Sequence, residues 1–268
     1  MKKKILNYIH FIKNQFFLIK VKTSFFARLK IILAALFNLI FKPLQLIGRS
    51  LYFKIRYAVI NSLYKNLIIE INNKKFRIRD DIDLMTILAD EKIDNIFKEK
   101  GKIFLDIGAH IGKYSILYSD FFEKIYAFGP EPNNFEYLKI NIKLNNLENK
   151  IIPLNLAVAD RVGTMDFFIS SYSVTHSLIK QETENKISVK STNLDNFLLE
   201  SSLKPEDISL VKIDVEGAEN LVLKGLEKTL SLLRAKFIIE IWDNNLENKN
   251  FILDFFKKFN YKLEKNTR

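Results

Sequence analysis

Two segments combine residue types that can do chemistry with an order that would bring them together: IFLDIGAHIGKYS at residues 103–115 and VKIDVEGAE at residues 211–219. The first reads as an apolar strand that ends in an acid, Asp106, and turns through Gly108 and Gly112 into a helix. In an open α/β sheet, ligands bind in the crevice beyond the carboxyl ends of the strands, so this turn is expected at a binding site. A dinucleotide fingerprint would need G-x-G-x-x-G, with backbone close to a pyrophosphate. Here Ala109 and His110 occupy the middle of the turn, and Asp106 would repel phosphate. A carboxylate suits a cation or a hydroxyl instead. S-adenosylmethionine carries an ammonium, a sulfonium and a ribose without phosphate. Asp106, Gly108, Ala109 and Gly112 are therefore read as part of a site for it, against the alternative of a tight strand-to-helix turn with a capping acid.

The following strands extend this reading. A strand at residues 124–128 ends at Gly129-Pro130-Glu131, and nucleotide-type sites place an acid about 20 residues past the glycine loop to take ribose hydroxyls. Glu131 stands 19 residues after Gly112. Residues 151–160 read as one strand ending in Asp160, an acceptor for an adenine amino group. The second chemical segment ends in Asp214 and Glu216, which alternation along an extended chain would point to one side. A hydroxyl nucleophile needs a base as its proton leaves. Asp214 and Glu216 are the leading candidates, with His176 and His110 as alternatives and Glu240 as an acceptor contact. The structural alternative makes Glu216 a helix cap. No metal signature is present, and a carboxylate-held magnesium ion has no pattern to support it.

With these residues in view, the chain from about Asn66 onward resembles the FkbM methyltransferase family. The stretches that carry the resemblance are FLDIGAHIGKYS, IYAFGPEP, NLAVAD, SVKSTNLDNFL and LVKIDVEGAE, in the family's order. The resemblance implies an S-adenosylmethionine-dependent O-methyltransferase on a Rossmann-like fold, acting on hydroxyls of sugars or natural products. Two positions depart from it. Members usually carry Asn where this chain has His110, and Glu, the expected ribose ligand, where it has Gly129. Three readings follow from Gly129: Glu131 reaches the ribose instead, cofactor affinity is low, or the chain is an inactive scaffold.

With 268 residues and 48% apolar content, the chain can bury a core for one α/β domain plus an appendage. The absence of cysteine excludes disulfides, thiolate metal sites, iron–sulfur radical chemistry and cysteine-nucleophile cytosine methylation. The net charge of +11 is unevenly placed: residues 1–69 hold 13 Lys or Arg and no acid, against 29 basic and 31 acidic residues in the rest. Such asymmetry points to an anionic partner. Ile5, Tyr8, Ile9, Ile12, Phe16 and Ile19 recur at helical spacing among lysines, which suits a membrane surface. The run at residues 31–41 is shorter than the roughly 20 apolar residues a span needs and is read as interfacial. The alternatives are packing on the catalytic domain and a dimer contact. A retained N-terminal segment and a catalytic domain facing the cytoplasm are expected. A nucleic-acid methyltransferase is the competing enzyme, disfavoured by the missing Asp/Asn-Pro-Pro-Tyr/Phe tetrapeptide and by the near-neutral catalytic part. An NAD-dependent sugar-modifying enzyme is disfavoured by the missing middle glycine.

These residues need elements to position them. Residues 1–65 read as basic helices, 67–79 as a hairpin turning near Asn72-Asn73, and 80–98 as a helix. From residue 102 strands and helices alternate, interrupted by an antiparallel pair at 163–170 and 187–192, with a polar loop between them that could shape an acceptor pocket. Residues 236–242 read as a buried strand, 251–259 as a helix and 261–264 as a last strand. The predicted fold is α/β: a Rossmann-like, doubly wound, mostly parallel sheet over residues 66–268, with a basic helical extension at 1–65.

Overall fold

The computed structural model describes residues 22–42, 49–89, 99–170, 176–179, 185–241 and 245–264. The helix expected around residues 5–19 lies outside them. The chain divides into two compact units, Met1–Leu88 and Ala89–Arg268.

In the first unit, β1 (Lys22–Thr23) leads into helices α1 (Phe25–Phe41) and α2 (Arg49–Tyr64). A hairpin of β2 (Leu67–Ile71) and β3 (Lys74–Ile78) and helix α3 (Asp81–Leu88) follow. Ser24 starts α1 by accepting from the Ala27 N–H at 3.3 Å. The helix then takes in the whole 31–41 run, burying Ala27, Ile31, Ala34, Ala35 and Asn38 along one stripe. Arg56 on α2 donates to Asn38 at 3.0 Å and pairs with Asp81 at 2.6 Å, which ties α1, α2 and α3 through one guanidinium. The hairpin turns at Asn72 and Asn73 with φ of 49° and 61°, the two left-handed residues that a two-residue hairpin loop demands. β1 pairs antiparallel with β2, so the hairpin is completed within this unit.

The second unit is built on a five-stranded sheet in which every neighbour is parallel. Its strands are β4 (Gly101–Ile107), β5 (Phe122–Phe128), β6 (Ile151–Leu154), β10 (Ile208–Ile213) and β11 (Lys236–Ile239), in the order β11-β10-β4-β5-β6. The order runs outward from β4 in both directions, so the topological switch point falls between β4 and β10. Between strands run α4 (Lys113–Leu117), α5 (Pro132–Leu144), α6 (Leu194–Glu200) and α7 (Glu219–Lys224), and α8 (Leu246–Lys258) comes last. Central strands of a parallel sheet are covered on both faces and read as continuous apolar runs. Phe104, Leu105, Ile107, Val211 and Ile213 are accordingly all buried. Ile213 and Leu105 pack with Val222, Leu223 and Leu226 around α7 and with Ile252 and Phe255 of α8. The Rossmann-like α/β class expected from the sequence is the class observed.

A second, small sheet joins β7 (Ala157–Val158), β8 (Gly163–Phe168) and β9 (Lys186–Thr192), with β8 and β9 antiparallel as the sequence indicates. The single strand expected over 151–160 is instead two strands in two sheets. Asn155 causes the break: its side-chain amide donates to the Gly129 and Pro130 carbonyls at 2.8 and 3.1 Å and turns the chain after β6. The strand expected at 261–264 does not form. Tyr261 packs on Phe237 and Phe256 and donates to the Leu233 carbonyl at 3.2 Å, so β11 is the sheet's edge among the described residues.

Candidate active site

The two chemical segments meet at the switch point. The Asp214 N–H donates to the Ile107 carbonyl at 3.0 Å. Gly108, at φ 84°, lies so close beneath that a Cβ there would sit 1.8 Å from the Asp214 carbonyl oxygen. On the other side, the Gly108 and Ala109 N–H groups donate to the Phe128 carbonyl at 3.1 and 2.8 Å. The turn is thus pinned between the ends of β10 and β5. Gly112 opens α4 at φ 94°, where a Cβ would meet Leu138 at 2.8 Å. Backbone conformation favours glycine at both positions, and at Gly108 the close approach of the Asp214 backbone requires it as well.

Asp106 is fully buried. One of its oxygens accepts from the Ser115 N–H at 3.1 Å and from its hydroxyl at 2.5 Å, fastening α4 to the end of β4. The other takes no hydrogen bond among the described residues and faces the Lys212 ammonium at 3.9 Å. Lys212 stands directly across from Asp106 in the β4–β10 register and is itself 2% exposed. Its Nζ donates to Asp214 Oδ2 at 2.8 Å and lies 4.7 Å from the centre of the Tyr114 ring. Burial pushes the Asp106 carboxyl above the usual carboxylate range, with Lys212 opposing that shift. Burial pulls Lys212 down, but Asp214, Asp106 and Glu240 outweigh it and hold the ammonium above its ordinary value. The Asp214 side chain is 23% exposed, so this buried network has one carboxylate that reaches the crevice.

The other expected residues fall on either side. β10 ends at Ile213, and Glu216 and Gly217 have φ of 55° and 98°. Asp214 and Glu216 therefore lie in a turn, and the alternation expected to align them does not operate there. His176 accepts from the Ser170 N–H through Nδ1 at 3.0 Å. Next to it, the Ser177 hydroxyl donates to the Val215 carbonyl at 3.3 Å, which brings this loop to the Asp214 turn. Glu240 follows β11, with its N–H on the Ile213 carbonyl at 3.0 Å. Glu131 is the N-cap of α5: its carboxylate accepts from the N–H groups of Asn133 and Asn134 at 3.0 and 2.6 Å. Asp160 is exposed and follows β7, not the single strand expected over 151–160. Glu219 accepts from Gly217 N–H and from Asn248 on α8, so the last acid of VKIDVEGAE joins α7 to α8.

Lys212, Ser115 and Tyr114 are the residues that sequence reasoning missed. For Lys212 a signal existed: a lone cation inside an otherwise apolar central strand must be paired. The arrangement holds the partly exposed Asp214 carboxylate beside a glycine turn with no phosphate-binding pattern.

The family model described as "Methyltransferase FkbM domain" matches residues 106–263. Among curated proteins, the hexuronic acid methyltransferase AglP of Haloferax volcanii is 31% identical over 169 residues, covering 61% of this chain and 64% of that protein, just under two thirds of its length. Methyltransferase sdnD of Sordaria araneosa is 26% identical over 188 residues, covering 59% of this chain and 73% of that protein. A solved FkbM methyltransferase from Methylobacillus flagellatus aligns over 94% of this chain and 54% of its own, at 15% identity and a TM-score of 0.41.

Proposed function

The chain belongs to the FkbM methyltransferase family, whose methyl donor is S-adenosylmethionine, and on that premise we propose that it methylates a hydroxyl of a sugar or glycan. The observation that carries the chemistry is Asp214, a partly exposed carboxylate held at the switch point by a buried lysine. The similarity to a hexuronic acid methyltransferase supports a sugar as the acceptor. The residues fit the adenosyl group: the glycine turn leaves backbone at the crevice floor, and the backbone of Gly129 has unfilled space beside it.

When bound, the cofactor supplies a methyl group made electrophilic by its sulfonium. Gly108, Ala109 and Gly112 shape its seat, and Asp106 acts through Ser115 to hold that turn in place. Asp214 takes the proton of the acceptor hydroxyl as the new oxygen–carbon bond forms. Lys212 fixes the orientation of Asp214, while Glu216 and the His176 loop face the acceptor. Alignment of hydroxyl and methyl supplies much of the acceleration in such a displacement.

The test is transfer of radiolabelled methyl from S-adenosylmethionine to a panel of uronic acid sugars, neutral sugars and RNA. Labelling of a sugar, reduced about 10²–10⁴-fold in Asp214→Asn with S-adenosylhomocysteine affinity retained, is the expected result. Label entering only RNA would sink the sugar assignment. We also propose that the first unit rests on an anionic membrane surface, supported by the exposed apolar face of α1 and by the acid-free sequence around it.

A further inference from the structure

We infer that the cofactor site of this chain has no acidic clamp on the ribose, that Gly129 is the position that leaves it open, and that one carboxylate placed there would tighten the site. The inference rests on the S-adenosylmethionine reading above and concerns how this chain holds that cofactor.

Gly129 directly follows β5, the second strand of the sheet, whose end is where a nucleotide-type site places the acid for ribose hydroxyls. Its backbone is fixed. The N–H donates to the Leu154 carbonyl at 3.0 Å, and the carbonyl accepts from Asn155 at 2.8 Å. Most of the described glycines are needed where they stand. A Cβ at Gly101 would strike Ser209, one at Gly108 the Asp214 carbonyl, one at Gly112 Leu138, and one at Gly225 the Ala159 carbonyl. Gly163 and Gly217 have room but are held at φ of 138° and 98°, where side chains are strained. Gly129 alone among the described glycines combines an ordinary φ with nothing within 4 Å of an added Cβ. It is nevertheless buried, so the space beside it is an enclosed opening at the sheet's carboxyl edge. Neither packing nor backbone strain accounts for glycine there.

The neighbouring acids do not fill the gap. Both Glu131 oxygens accept from the first turn of α5, with Asn133 contributing a second bond from its side-chain amide at 3.0 Å, and the residue is 6% exposed. Asp160 follows β7 in the other sheet. Neither neighbouring acid is thus placed to accept the two charge-assisted hydrogen bonds that the ribose hydroxyls of a bound cofactor would donate beside Gly129.

The experiment is calorimetric titration of S-adenosylhomocysteine and its 2′-deoxy and 3′-deoxy analogues into the full chain and into Gly129→Glu and Gly129→Asp. The wild-type chain is expected to bind all three ligands within about threefold of one another, since no charged partner is lost. Gly129→Glu or Gly129→Asp is expected to bind S-adenosylhomocysteine about tenfold tighter, with a smaller gain for each deoxy analogue, which keeps only one of the two hydroxyls. Tenfold discrimination against a deoxy analogue by the wild-type chain would reveal a clamp elsewhere and overturn the inference, whether or not the variants fold. Folded acidic variants without tighter binding would overturn it too. If the folded wild-type chain binds no S-adenosylhomocysteine at all, the cofactor reading itself fails, which is a different outcome from either of these.

Discussion

Lys212 stands between two carboxylates inside a parallel sheet, and removing its charge leaves both without the cation that offsets their burial. Breaking one partner out of a buried ionic group typically costs about 3–5 kcal/mol. Lys212→Met is therefore expected to lower the melting temperature by roughly 10 °C. The sign with pH follows from the raised lysine. Its contribution is fully present below the ordinary value of 10.5 and is lost as pH rises through the higher folded value. Wild-type stability should fall more steeply than that of Lys212→Met above about pH 10.5, measured by melting temperature across pH 7 to 12. Equal slopes in the two proteins would show that the fold does not raise Lys212 above its ordinary value. Asp106 has the same sign at the acid end. Its carboxyl is raised by burial, so the cost of ionising it is absent below 3.8 and sets in as pH climbs through the folded value. A second substitution separates geometry from charge. Gly108→Ala puts a methyl group onto the Asp214 carbonyl, which would sit 1.8 Å away, so the β4 and β10 ends must part. Loss of S-adenosylhomocysteine binding in a protein that still folds is the expected result.

The elements show why some of these residues were legible and others not. Helix α5 begins at Pro132, and Glu131 closes its first turn with both oxygens. Losing a side-chain cap costs about 1 kcal/mol. Glu131→Ala should thus lower the melting temperature by a few degrees while leaving S-adenosylhomocysteine affinity within about threefold. Weakened binding at unchanged stability would return Glu131 to the ribose. From sequence, an acid 19 residues past Gly112 satisfied a spacing rule, but spacing does not tell a ligand from a cap. The central strands β4, β5 and β10 were readable because a sheet covered on both faces needs unbroken apolar runs. In the small sheet the antiparallel pair β8–β9 was readable, while its third strand, β7, was not. The break after β6 was not, since it comes from one side-chain amide reaching the Gly129 and Pro130 carbonyls across the sheet edge. The turn at Glu216 was hidden for a similar reason: its φ of 55° is imposed by the crossing into α7 and is not a preference of glutamate. Lys212 was hidden because Val211 and Ile213 on either side make the strand read as continuously apolar.

At the scale of the whole molecule, charge and apolar exposure coincide in the first unit. Residues 1–69 hold no acid, while the remainder of the chain is close to neutral. On α1, Phe25 and Phe26 are each 76% exposed and Ile40 is 65%, with Leu29, Leu33 and Leu36 exposed between them. These positions follow helical spacing along 17 residues, a strip about 25 Å long. Among the described residues no helix is long and apolar enough to cross a membrane. A second copy of the chain would bring another acid-free, cationic face against it, and like charges would oppose that pairing. An anionic bilayer offers both an apolar interior and the opposite charge, with each nearby Lys or Arg adding about 1 kcal/mol. The full chain is therefore expected to co-sediment with vesicles containing phosphatidylglycerol and not with pure phosphatidylcholine. Salt at 0.5 M should weaken binding, because it shortens the screening length well below the roughly 8 Å of physiological conditions. Leu33→Gln combined with Leu36→Gln keeps helix-forming residues on α1 and should abolish sedimentation even at low salt. Equal binding to both vesicle types, or none by the wild-type chain, would remove the membrane from the picture. A concentration-dependent dimer lost in the same double variant would assign the face to a second copy instead.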